Sequence, residues 1–180
     1  MSDTNAALIA FVGVLAGGYL NNFLAEDFRR FRDGQALAGA LAGELKSHAT
    51  AIPILQSTLQ STADAIRKPD TRITMQEFAP PTSPVFDSGV VKLGLLGPAL
   101  AEEVAFVYEQ IRAFRLGLQR ISKHHPEMER ETVAQVLEFC LTLITTAQER
   151  GTKLIADLQR YANEGYWRTR PWVWWTRNLG

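Results

Sequence analysis

The chain has 180 residues, with 19 Lys and Arg against 19 Asp and Glu, and 46% of it is apolar. That length accommodates one domain with an anchor, the apolar fraction is too high for a disordered chain, and zero net charge excludes the basic excess that nucleic-acid binding needs. The single cysteine, Cys140, excludes an intramolecular disulfide and any C-x-x-C motif, which suits a reducing compartment.

Residues 5–25 (NAALIAFVGVLAGGYLNNFLA) are free of charge from Asp3 to Glu26. About 20 such residues cross a bilayer as a helix, so residues 1–25 are expected to form a short tail and a transmembrane helix. No basic residue precedes the run, and Asn21, Asn22 and Phe23 stand where a signal-peptide cleavage site would fall, so an uncleaved anchor is expected. Nine strong apolar residues contribute roughly −3 to −5 kcal/mol to insertion. Gly13, Gly17, Gly18 and the asparagines oppose that. Gly13 with Gly17, and Ala6 with Ala10, have the small-x-x-x-small spacing that lets membrane helices pack closely. Membrane lipid and other transmembrane helices, from a second copy or a larger complex, are the partners this implies. Arg29, Arg30 and Arg32 follow the run, so the positive-inside rule places the N-terminus outside and the remaining chain in the cytoplasm. Phe28 just before these arginines and Phe31 among them suit a headgroup-level collar.

Residues 26–163 read as a helical bundle, with helices expected at about 34–66, 84–93, 98–121 and 128–163. Leu41, Leu45, His48, Ile52, Leu55, Leu59, Thr62 and Ile66 alternate spacings of four and three, the seam of a helix packed nearly parallel to its neighbours. The membrane helix is expected to continue into this one, with a kink at Pro53. Residues 68–83, with Pro69, Pro80 and Pro81, read as a loop. Ser83 and Pro84 then read as an N-cap and first helical position. Leu100, Val104, Val107, Ile111, Phe114, Leu118 and Ile121 repeat the seam. Glu102, Glu103, Glu109, Arg112, Arg115 and Arg120 read as that helix's solvent face. The last helix carries Val133, Leu137, Cys140, Ile144, Ala147, Gly151, Leu154, Leu158 and Tyr161 on its seam. The fold class is all-α: one N-terminal transmembrane helix continuing into an antiparallel three- to four-helix bundle. Simple up-and-down order would bring the end of the last helix out far from the bilayer and the turn at 122–127 near it, unless the long loop resets the direction.

Residues 164–180 form a separate Trp- and Arg-rich tail. Trp167, Arg168, Arg170, Trp172, Trp174, Trp175 and Arg177 are residue types of binding hot spots and membrane interfaces. A protein partner or the bundle's own far end is expected for them. No G-x-S-x-G, H-E-x-x-H, Walker A or G-x-G-x-x-G pattern occurs, so no catalytic or cofactor-binding residue, and no cofactor, is expected. Cys140 reads as a small buried hydrophobe. His124 and His125 are the only candidates for a metal, and weak ones, since adjacent loop histidines seldom reach one ion. The expectation is therefore a non-catalytic, membrane-anchored scaffold or accessory subunit of a membrane assembly. A membrane-tethered switch using His48, Pro53 and Thr62 is one alternative. A soluble all-α ligand binder or enzyme with residues 5–25 as a core helix is the other.

Overall fold

The computed structural model describes residues 2–68 and 79–166, with side chains from residue 7 onward. Among these residues the chain is all-helical: α1 (Ser2–Ile66), α2 (Pro84–Gly89), a 3-10 segment (Val90–Leu96), α3 (Pro98–His124), a 3-10 turn (His125–Glu127) and α4 (Arg130–Ala162).

Helix α1 runs 65 residues without a break, about 100 Å at 1.5 Å per residue. Pro53 lies on its exposed side and does not end it. Its end at Ile66 precedes Pro69, which biases the backbone before it out of the helical region. The last turn closes with the Lys68 amide donating to the Ala65 carbonyl at 3.1 Å. Helix α2 starts at Pro84 as its sequence suggests, yet the Ser83 hydroxyl makes no capping bond. The carboxylate of Glu44, on α1, accepts from the Val85 and Phe86 amides instead, at 2.9 and 3.1 Å. Those amides have no partner inside their own helix. The 3-10 segment ends at Gly97, whose φ of +80° favours glycine, and Pro98 opens α3.

Long-range contacts fix the directions. Gln56 reaches Thr145 and Gln148, and Arg67 pairs with Glu138 at 2.7 Å, so α4 is antiparallel to α1. Arg150 pairs with Glu103 at 2.6 Å, and Gly117 faces Cys140, so α3 is antiparallel to α4. Helices α1 and α3 therefore run the same way. Residues 79–96 reset the direction: Ser83 lies beside His48, and Leu95 lies beside Gly34. The up-and-down order is thereby corrected. The C-terminal end of α4 comes back toward the apolar segment of α1, and the turn after α3 lies at the opposite end of the bundle.

The seams lie where four-and-three spacing puts them. Leu41, Val104, Ile121, Leu137, Cys140 and Leu158 are fully buried. They divide into two core clusters. One is centred on Ile52, Leu59, Phe114, Leu137 and Ile144; the other is centred on Leu41, Leu45, Val104, Tyr108 and Leu158. At the α3–α4 crossing, Gly117 leaves room for the Cys140 sulfur.

Candidate functional site

Below the bundle α1 is bare. From residue 7 to residue 26 every side chain is exposed, and the segment is long and apolar enough to cross a membrane by length and composition. Eleven of the sixteen exposed large apolar side chains of the described residues fall between Leu8 and Phe28. A contiguous apolar surface of this kind marks a membrane or protein interaction site. A Cβ built at Gly13, Gly17 or Gly18 meets nothing within 4 Å. The Gly13–Gly17 pair and Ala10 thus face open space, free for another helix; the side chain of Ala6 lies outside the described residues. Arg29, Arg30 and Arg32 are exposed, and Arg29 and Arg30 pair with Glu26 at 2.6 and 3.7 Å.

Where the bare segment meets the bundle, the end of α4 locks onto α1. Three carbonyls at that helix end accept from the Gln35 side-chain amide, the shortest being Glu164 at 2.6 Å. The Tyr161 hydroxyl donates to the Leu95 carbonyl at 2.9 Å. Gly34 permits this junction, because a Cβ there would sit 2.9 Å from that hydroxyl and 3.0 Å from that carbonyl. Tyr166, only 7% exposed, sets its ring edge-on to Phe28 at 5.1 Å and to Phe31 at 5.3 Å, and its hydroxyl donates to Asp27 at 2.8 Å. The chain therefore enters its Trp- and Arg-rich stretch at the level of Phe28. Trp167, Arg168, Arg170, Trp172, Trp174, Trp175 and Arg177 lie outside the described residues.

A second cluster joins α1, α3 and Ser83. Glu44 accepts from the Tyr108 hydroxyl at 2.8 Å besides its two backbone donors, and the Tyr108 ring stacks on Phe86 at 4.0 Å. Burial and the Glu44 hydrogen bond push the Tyr108 phenol well above its ordinary range. Arg115 donates to the Ser83 hydroxyl at 2.8 Å and stands 3.4 Å from His48 Nε2. Arg115 is half-buried, not on the solvent face its helical position suggests, because residues 81–86 fold back over that side of α3. Burial, then the Arg115 charge, holds the His48 imidazole below its ordinary value. Periodicity singled out His48 but missed Glu44, Tyr108 and Arg115. The only signal was an acidic residue one position from a seam.

Cys140 is fully buried against the Phe114 carbonyl, and burial pushes its thiol up to about 11. His124 is exposed at the end of α3, and His125 begins the following 3-10 turn. No group of three or more His, Cys, Asp or Glu able to hold a metal occurs among the described residues.

Fold and surface together define an all-α chain in which one long helix carries an uncovered apolar segment below a helical bundle. Comparison with protein-family models, with curated proteins and with solved structures finds no match for this chain.

Proposed function

We propose that this protein is a non-catalytic, single-pass membrane module, an accessory subunit or scaffold of a larger membrane assembly. The observation that carries the reading is the uncovered apolar segment of α1, continuous in one helix with the packed bundle. Eighteen residues from 7 to 24 rise about 27 Å, close to the thickness of a bilayer's hydrocarbon core. The N-terminus lies outside and the bundle lies in the cytoplasm, in line with Arg29, Arg30 and Arg32 after the span. An uncleaved anchor accords with a helix that passes unbroken from span to core. Gly13 and Gly17 offer the packing face for a second transmembrane helix.

The return of α4 changes the reading of the tail. Tyr166 is held at the collar residues Phe28 and Phe31, so the chain enters the tail at the collar, and the headgroup layer, where Trp and Arg are both favoured, becomes the partner the reading assigns to the tail's sequence. A partner chain in the same membrane then meets the tail there. Gentle detergent extraction with measurement of assembly mass tests the scaffold reading. A mass above that of the monomer with lipid and detergent supports it; a strict monomer with no co-purifying chain contradicts it.

A second reading, a membrane-tethered switch, draws on His48 alone. Thr62 bonds back to the Thr58 carbonyl and Pro53 is exposed. With its folded-state value lowered, His48 contributes stability above the ordinary imidazole value of about 6.5, and this is lost as pH falls through that value toward the folded one. Arg115 nearby disfavours the imidazolium and Glu44 favours it. A His48→Gln protein whose stability and assembly keep the wild-type dependence between pH 5 and 7 removes this reading.

A further inference from the structure

The middle of the bundle is not filled. Between the two core clusters α1, α3 and α4 leave a cavity of about 310 Å³, at the lower end of ligand-pocket sizes. Small residues make the room: Ala147 and Gly151 stand on the α4 seam where other positions carry large side chains, and Ala49 lines the α1 side. Its walls are Ile52 and Leu55 from α1, Ile111 and Phe114 from α3, and Ile144 and Ile155 from α4. Exposed Ser47, Pro81 and Thr152 also line it, so it reaches the surface.

Two cationic or titratable groups line this apolar chamber, Arg115 and His48. Elsewhere a half-buried arginine is fully matched: Arg150 grips Glu103 through two hydrogen bonds and lies 3.6 Å over the Phe106 ring. Arg115 differs. Among the described residues no carboxylate forms an ion pair with it, and its hydrogen bonds go to neutral Ser83 and toward His48. Two anions lie near: Glu44 is committed to two backbone amides and the Tyr108 hydroxyl, and Asp87 acts on Arg115 through its charge without an ion pair among the described residues. A partly desolvated guanidinium keeps N–H donors for one more anion, and a carboxylate matches its fork.

We propose that this cavity binds a fatty acid, its acyl chain between the three helices and its carboxylate on Arg115. A mostly apolar chamber with one polar end suits an amphiphile, and the cation supplies the discrimination between an acid and a neutral chain.

The test uses the full chain in nanodiscs of zwitterionic lipid, irradiated with dodecanoate carrying a diazirine at its methyl end, with adducts mapped by mass spectrometry. Adducts should fall on residues 45–55, 107–114 and 144–155. Unlabelled dodecanoate should suppress them about tenfold better than dodecanol, the scale of one charge-assisted hydrogen bond. Arg115→Gln should erase that preference while adducts persist in the chamber, and Ala147→Leu should suppress the adducts by filling it. Should Ala147→Leu fail to fold by circular dichroism, the acid-against-alcohol comparison in wild type and Arg115→Gln decides alone. Adducts confined to residues 7–24, or equal competition by dodecanol and dodecanoate in wild type, overturn the proposal.

Discussion

Replacing Gly117 by alanine should destabilise the bundle, although the same change on an open helical surface stabilises. A Cβ built at Gly117 lies 2.5 Å from the Cys140 sulfur, whereas ordinary contact begins at 3.4 Å. The sulfur cannot swing away, because Cys140 is fully buried among Phe114, Leu137 and Ile144. Helices α3 and α4 must therefore separate where they cross. Overpacking of this kind costs about 1–3 kcal/mol, while glycine to alanine inside a helix returns about 0.8–1.0 kcal/mol. The net expectation is a loss of about 1 kcal/mol. Gly43 is the internal control: it lies in the same fold on an exposed face of α1, with nothing within 4 Å of the built Cβ. Gly43→Ala should gain about 0.8–1.0 kcal/mol. Adding Cys140→Ala to Gly117→Ala removes the clash, so the double-mutant cycle should show a coupling of about 1–3 kcal/mol. Urea unfolding of the full chain in a mild detergent, followed by far-UV circular dichroism, reads wild type, Gly43→Ala, Gly117→Ala, Cys140→Ala and the double variant. If Gly117→Ala stabilises as Gly43→Ala does, or the cycle shows no coupling, the described crossing of α3 and α4 is wrong.

All four tryptophans lie in the tail, so intrinsic tryptophan fluorescence reports on that segment alone. Reconstitution into lipid should protect it from iodide, and Tyr166→Ala should return much of the quenching, because the lost ring contacts to Phe28 and Phe31 are each worth about 0.5–1.5 kcal/mol. Equal iodide quenching before and after reconstitution of the wild type would contradict a lipid partner for the tail. Cys140 should resist iodoacetamide at pH 8 in the folded protein and react freely in urea, since both its burial and its thiol at about 11 oppose the thiolate. Rapid labelling of the folded chain would show that α4 is packed otherwise.

The helices and their buried faces were legible in the sequence because a four-and-three repeat leaves one geometric option: Val133 through Leu158 had to face a neighbour. The direction of the chain was not legible. It depends on residues 69–83, which carry prolines and no repeat, and on contacts across wide sequence gaps, such as Glu44 with Val85 and Gly34 with Leu95 and Tyr161. Ser83 read as a cap because caps are local, yet its hydroxyl serves Arg115 from a different helix. Arg115 read as a solvent residue because its helical position says nothing of a segment folding back over it. The cavity was invisible for a similar reason. Ala49, Ala147 and Gly151 look ordinary one by one, and only their approach in space leaves a chamber.

The membrane anchor is tested most directly by fractionation. Cells producing the full chain are lysed without detergent, and the membranes are sedimented, washed in alkaline carbonate and then dissolved in detergent. The protein should stay in the pellet through the carbonate wash and be released only by detergent, while a form lacking residues 2–24 should appear in the first supernatant. Full-length protein in the first supernatant would contradict it, and would mean that the apolar segment of α1 is covered by protein instead of lipid.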